Sequence, residues 1–317
     1  MMQLGILDQM PTPKNMSAEE TAQHTLSLVE LAEGWGYSSY WFAEHHGTKG
    51  MSSSSPEIMM AAAASRTKRI RVGSGGILLP QYSPYKVASQ LLQLEALFPG
   101  RIEAGVGRSP GGSETIRSLL SNGKENEMGM FQEKLHQLHN YIQGNTKIRA
   151  TPRTKGSPQL YVLGLGPNSA KLAHDEQVGY VFGHFIQPEH GVETHQTLRM
   201  LRPSVDSKTA VFVICGKDNE HAEKLALSQD LWLLNVEKGL DSRIPSYEEA
   251  SRQTFSLSDL QKIKQNRKRM IVGGPKRVKE AMQRLADDYQ SESFLLVASI
   301  YDPLERERSF KRIIELF

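Results

Sequence analysis

IRVGSGGILLPQYSPYKVASQLLQLEALFPGRIEAGVG, residues 70–107, is the stretch on which the fold turns. It opens on an apolar run, IRVGSGGILL (70–79), and closes on another, RIEAGVG (101–107). Between them Ser83-Pro84 marks a helix start, a capping serine with proline at the first helical position. Val87, Leu91, Leu94 and Phe98 then recur on one helical face. Strand, helix and strand in so short a span is the crossover unit of a parallel sheet.

The pattern repeats outward in both directions. QLGILD (3–8) reads as a buried strand. The helix after it is opened by the capping box Ser17-Ala18-Glu19-Glu20, and Gly34 or Gly36 can stop it. SYWFAEHH (39–46) is a second strand, and a helix follows from Ser55-Pro56. QLYVLGLG (159–166), GYVFGHF (179–185), AVFVICG (210–216) and SFLLVAS (293–299) bring the number of strands to eight. Eight strands alternating with helices predict an α/β chain folded as a (β/α)8 TIM barrel. A doubly wound sheet is the rival, but its glycine fingerprint is missing after the first strand, and GLGPNS (164–169) is only a partial one. Two segments exceed the repeat, near 109–158 and 235–270, and are expected as insertions in βα loops of one domain spanning 1–317. The basic run Lys262, Lys264, Arg267, Lys268, Arg269 has no aromatic residues interleaved, so it is expected to be a solvated helix face.

Composition narrows the class. A hydrophobic share of 38% and a charged share of 23% suit a globular chain. Thirty-eight basic against 35 acidic residues leave a net charge of +3, too balanced to argue for nucleic acid. The single cysteine, Cys215, rules out an internal disulfide and a multi-thiolate metal site. The longest apolar block, IMMAAAA (58–64), is far below the roughly 18 residues a membrane span needs. No basic leader with a long apolar run opens the chain, so a soluble, cytoplasmic protein is expected.

Barrel chemistry sits at the C-terminal ends of the strands. Those ends carry Asp8 and Gln9, His45 and His46, Ser74-Gly75-Gly76, Gly107-Arg108-Ser109, Gly164-Leu165-Gly166, Gly183-His184, Cys215-Gly216 and Ser299-Ile300-Tyr301. The set lacks the paired acids of a glycosidase and the Ser/His/Asp arrangement of a hydrolase. Adjacent histidines on a strand point to opposite faces, which argues against a metal clasped by both. Trp41, Ala43 and His45 share one face, and Phe42, Glu44 and His46 the other. Glycines at strand ends let a flat or phosphorylated ligand approach the backbone, and an arginine in that rim suits a phosphate.

The blocks WFAEHH, VGSGGILLPQYSPYKVASQLLQLEALFPGRIEAGVGRSPGG and YVLGLGPNSAKLA resemble those of the bacterial luciferase-like flavin monooxygenases. The likeness runs from LGILDQ to the closing VASIYDPLERERSFKRI. It implies a TIM barrel that binds reduced FMN, or in one branch a deazaflavin, and commonly dimerises. It also implies oxidation of a small organic substrate by O2 through a peroxyflavin, with electrons from a separate NAD(P)H:flavin reductase.

The same resemblance assigns roles. His45 matches the histidine near the flavin that supports proton exchange, whereas His46 is expected to be structural. Gly75-Gly76 matches a non-proline cis peptide beneath the flavin ring. Arg108 matches the arginine that meets the FMN phosphate, and Ser169 with Gly164, Leu165 and Gly166 matches the phosphate-binding loop. Asn168 either joins that loop or caps the next helix, and the family's acidic residue is absent from GLGPN. His184 is a candidate pocket residue, and residues 109–130, 184–190 and 235–270 are expected to build the substrate pocket. Two other readings share this barrel: a deazaflavin-dependent reductase or dehydrogenase, and a flavin-binding protein without turnover.

Overall fold

The computed structural model describes residues 2–109, 111–123, 127–201 and 206–317. Pro110 and residues 124–126, within the first predicted insertion, lie outside them. The strands are β1 (Gln3–Asp8), β2 (Ser39–Phe42), β3 (Arg71–Leu78), β4 (Ile102–Gly107) and β5 (Gln159–Gly164). They continue with β6 (Gly179–Gly183), β7 (Ser207–Cys215), β8 (Met270–Gly273) and β9 (Ser293–Val297). The first helices are α1 (Ala18–Trp35), α2 (Pro56–Arg66), α3 (Pro84–Leu97), α4 (Glu114–Leu120) and α5 (Phe131–Gln143). Then come α6 (Pro167–Asp175), α7 (Gly191–Leu201), α8 (Asn219–Glu237), α9 (Tyr247–Arg252) and α10 (Leu257–Arg267). The last two are α11 (Pro275–Tyr289) and α12 (Pro303–Ile314).

Every pairing between named strands is parallel, and β1 through β7 with β9 close on themselves as the eight-stranded barrel. The ninth strand, β8, is the unexpected one. Phe212 of β7 pairs with Val297 on one side and Met270 on the other. β7 therefore gives the first half of one edge to β6 and the second half to β8, which lies above the barrel rim rather than in its wall. Two predicted boundaries also move. β2 stops at Phe42, four residues before His46, and β7 begins at Ser207 rather than at 210.

Local signals in the sequence act as expected at several ends. Ser17 and Glu20 form the reciprocal capping box of α1, and Gly36 ends that helix at φ 96°. Ser83 caps α3 through the Lys86 amide, whereas Ser55 makes no side-chain cap. The insertions carry α4 and α5 between β4 and β5, and α9 and α10 between α8 and β8. The basic run on α10 is largely paired: Lys262 with Glu237, Arg267 with Asp230 and Glu223, and Arg269 with Glu237. Among the described residues, no helix is long and apolar enough to cross a membrane.

Strand alternation sorts the core into two layers. Leu7, Trp41, Ala43, Tyr161, Val181, Ala210, Phe212, Leu295 and Val297 pack inside the barrel. Ile6, Tyr40, Phe42, Val72, Ala104, Val162, Phe182 and Leu296 face outward against the helices. The floor of the interior, near the strand starts, is polar. Glu103 there accepts from Trp41 Nε1 at 2.6 Å and pairs with Arg71 at 3.1 Å and Lys208 at 3.5 Å. Conserving charge balance at this depth is a matter of stability, because the opposite end of the barrel is where βα loops converge.

Candidate functional site at the barrel mouth

The inward residues of β1 and β2 continue past the strand ends. Leu7 is level with Trp41 and Asp8 with Phe42, and the Ala43 amide still donates to the Asp8 carbonyl at 3.0 Å. Gln9 and Ala43 are the first residues beyond these paired ends, and His45 lies two residues further along its segment. Their neighbours are held on the outer side. Asp8 accepts from Tyr40 Oη, from Arg306 at 2.6 Å and from the Met10 amide at 2.7 Å. Met10 is buried in the outer layer.

His45 is fixed by its backbone. Its amide donates to the Ser53 carbonyl at 2.8 Å, and Ser53 Oγ donates back to the Ala43 carbonyl. The ring's Nδ1 is buried and has no hydrogen-bond partner. Burial, with a smaller contribution from His46, lowers its pKa to about 4, so the imidazole is neutral at pH 7. His46 points the other way and meets Glu44 Oε1 at 2.7 Å. Glu44 is also the acceptor for Tyr82 Oη and for the Leu78 amide at 2.9 Å. Burial raises the Glu44 pKa, and the three donors oppose that rise.

Across from this carboxylate, the Gly75–Gly76 peptide is cis. A side chain is excluded at both positions: a Cβ on Gly75 would lie 2.3 Å from Leu7 Cδ1, and one on Gly76 2.9 Å from the Gly105 carbonyl oxygen. Arg108 follows β4, is exposed and makes no ion pair among the described residues. At the end of β5, Gly164 leaves room for Ser169, whose Oγ would be 2.0 Å from a Cβ there. Ser169 Oγ donates to the Gly166 carbonyl at 2.7 Å and lies 3.1 Å from Tyr180 Oη. Gly166, not Asn168, is the N-cap of α6, and Asn168 is exposed. Leu165 and Gly166 are half-buried at the same rim.

His184 belongs to a different neighbourhood. Val181 and Phe185 are inner-layer residues, so His184 shares the outward face of Phe182. Its Nδ1 lies 2.8 Å from Tyr289 Oη, and burial lowers its pKa to about 4. Tyr289 in turn stacks on His195 at 4.5 Å between centroids, and His195 Nε2 meets Thr209 Oγ1 at 3.1 Å. The structure thus gathers Gln9, His45, Gly75, Gly76, Arg108 and the Gly164–Ser169 turn at consecutive strand ends, and sets His184 into the wall behind them. Cys215 is a buried free thiol whose pKa burial raises to about 11.

The hub formed by Glu44 with His46, Tyr82 and the Leu78 amide was not apparent from the sequence. One signal was available: a carboxylate on the outward face beside apolar Tyr40 and Phe42 must be buried, and a buried carboxylate needs donors. Which donors reach it depends on where β3 ends in space.

A family profile described as luciferase-like monooxygenase matches residues 2–297. The uncharacterized protein YceB of Bacillus subtilis (strain 168) is 46% identical over 100% of both chains. The N-acetyl-S-alkylcysteine monooxygenase of the same organism is 30% identical, over 98% of this chain and 97% of its own. Among solved structures, apo-MsnO8 has a TM-score of 0.90 at 29% identity, covering 100% of this chain and 98% of its own. The fold alone is shared with the oxygenating constituent of 3,6-diketocamphane monooxygenase from Pseudomonas putida in complex with FMN (TM-score 0.72, 19% identity, 99% and 97% coverage). It is shared likewise with an F420-dependent secondary alcohol dehydrogenase (TM-score 0.70, 16% identity, 99% and 98% coverage). A closed parallel barrel with its polar residues gathered at the strand ends, matched over nearly its whole length by one profile and by relatives at 30% identity or more, places this chain in the luciferase-like monooxygenase family.

Proposed function

We propose that this protein is a monooxygenase that takes reduced FMN as co-substrate and oxidises a small organic molecule with O2. The observation that carries the reading is His45: an imidazole held neutral, with a buried unpartnered nitrogen, beside a backbone cradle at Gly75 and Gly76 from which side chains are excluded. A storage protein has no need of a proton-exchanging group in that position. Family membership and fold relatives that bind FMN or F420 support the same class.

The residues present fit such a group. Gly75 and Gly76 present backbone without side chains at the end of β3, and Arg108, which makes no ion pair among the described residues, offers its guanidinium to a phosphate. Ser169 Oγ, already turned to the Gly166 carbonyl, sits with Gly164, Leu165 and Gly166 at the start of α6, where backbone N–H groups favour an anion. Reduced flavin, when bound, supplies the electrons that O2 requires. The chain's own part is to orient the ring, keep water out, and present at His45 a neutral imidazole that serves as a hydrogen-bond partner and holds a proton only in passing at pH 7. The buried residues Trp232, Leu233 and Ile244 close over the mouth from the segment after β7, so an apolar substrate suits the space. A separate NAD(P)H:flavin reductase as electron donor, a homodimer as the working form and a cytoplasmic setting complete the proposal, and the lone buried thiol accords with a reducing compartment.

Anaerobic titration of the purified chain with reduced FMN and with reduced F420, followed by mixing with oxygenated buffer, tests the reading. Saturable FMN binding is expected, with reoxidation altered in His45→Ala but FMN affinity retained. Binding of F420 to the exclusion of FMN would establish the deazaflavin enzyme instead, and identical reoxidation in His45→Ala would remove the role given to His45.

A further inference from the structure

At the mouth of the barrel, the last two residues of β1 and the two that follow it divide between the inner and outer sides. Leu7 packs inside, Asp8 is held outside by Tyr40 and Arg306, and Met10 is buried in the outer layer. Met10 takes a left-handed φ of 49° while its amide donates to Asp8 Oδ1, so the chain turns sharply just after Gln9. Gln9 is left as the one side chain of this turn directed into the mouth. Ala43, whose amide donates to the Asp8 carbonyl, is the first residue after the adjoining strand β2, and His45 lies two residues further on.

The Gln9 Oε1 atom is buried and has no hydrogen-bond partner. His45 Nδ1 is in the same condition on the segment after the adjoining strand. A buried amide oxygen without a donor is costly, and such atoms in a folded protein point to a missing partner. Two of them, on the segments that follow the adjacent strands β1 and β2, mark a ligand with polar groups on that side.

We propose that Gln9 is a further ligand-binding residue of this site, its amide pairing with the N–H/C=O edge of the flavin ring. This rests on the cofactor reading above. An amide presents one acceptor and one donor side by side, which complements an imide edge and not a hydrocarbon one. Around the rim, Arg108 ends β4 and the glycine cradle ends β3, while β1 stands two strand spacings beyond β3, about 10 Å, on the side away from Arg108. A cofactor anchored by its phosphate near Arg108 and seated over Gly75 and Gly76 therefore turns its far end toward Gln9. The inner layer of the barrel is apolar, with Met51, Phe185, Trp232, Ile244 and Val297 among its members. Gln9 and His45 are thus the polar contacts that set the ring's orientation there.

The test compares FMN with N3-methyl-FMN, which lacks the imide N–H. Both are titrated anaerobically against the intact wild-type chain and against Gln9→Met and Gln9→Leu, and the ratio of the two Kd values is taken within each protein. A ratio of tenfold or more in wild type, falling to near one in both variants, is the expected result. The ratio within one protein is insensitive to a general loss of folded protein, and methionine keeps the length of the side chain. A wild-type ratio near one, or a tenfold ratio that survives in the variants, overturns the role of Gln9 while leaving FMN binding in place. Failure of the wild type to bind FMN at all overturns the cofactor reading and this inference together.

Discussion

Glu44 accepts a hydrogen bond from the Leu78 amide at 2.9 Å, and this contact ties the segment that carries His45 to the end of the strand that carries Gly75 and Gly76. The same carboxylate takes His46 and Tyr82, so one buried side chain serves three donors from two strand ends. Replacing it by alanine strands all three. Glu44→Ala is expected to cost roughly 3 kcal/mol and Glu44→Gln, which keeps an acceptor for Leu78, distinctly less. Urea unfolding of the two variants measures this. Equal losses would mean that the contact with Leu78 is incidental.

Arg108 is exposed and makes no ion pair among the described residues, so its removal should leave stability within about 0.5 kcal/mol of wild type. Its contribution should appear in ligand selection. Wild type is expected to bind FMN better than riboflavin, and Arg108→Ala to lose about tenfold of that preference, the strength of one charge-assisted contact at an open site. Parallel titrations with the two flavins decide it, and an unchanged preference places the phosphate elsewhere.

Three histidines, His45, His184 and His195, are held by burial at pKa values of about 4. The unfolded chain takes up the same protons near pH 6.5. Between about 4 and 6.5 the unfolded state binds more protons than the folded one, so stability falls as pH drops through that window and is level in this respect above it. Each group contributes at most about 1.4 kcal/mol per pH unit there. Glu44, with its raised pKa, acts in the opposite sense. Unfolding free energies measured from pH 7 to 4.5 should show the decline, and His184→Asn should make it shallower. A slope untouched by that substitution would show that His184 titrates normally.

On the barrel floor, Lys208 is 1% exposed and lies between Glu103 and Asp206. Lys208→Met leaves Glu103 buried with one cation fewer and is expected to cost about 3–5 kcal/mol. Adding Glu103→Gln should recover part of that loss, because the double variant no longer buries an excess charge. Thermal unfolding of the singles and the double gives the coupling. Simple additivity would mean that the two side chains do not depend on each other.

What could be read in the chain itself is whatever local periodicity encodes. The βα rhythm around residues 70–107, the capping box at Ser17 and the eight apolar runs led to a parallel barrel, since a strand's two-residue and a helix's 3.6-residue repeats are written in the order of side chains. The opposite facing of His45 and His46 followed from the same rule, although β2 itself stops at Phe42. The tertiary structure decided everything that depends on which distant segments meet. It set β8 above the rim beside β7, turned His184 to Tyr289 behind the wall, and brought Leu78 and Tyr82 onto Glu44. It also left Gln9 and His45 with buried atoms that find no partner among the described residues. Such pairings are set by the curvature and closure of the barrel, and these arise only when strands far apart in sequence lie side by side.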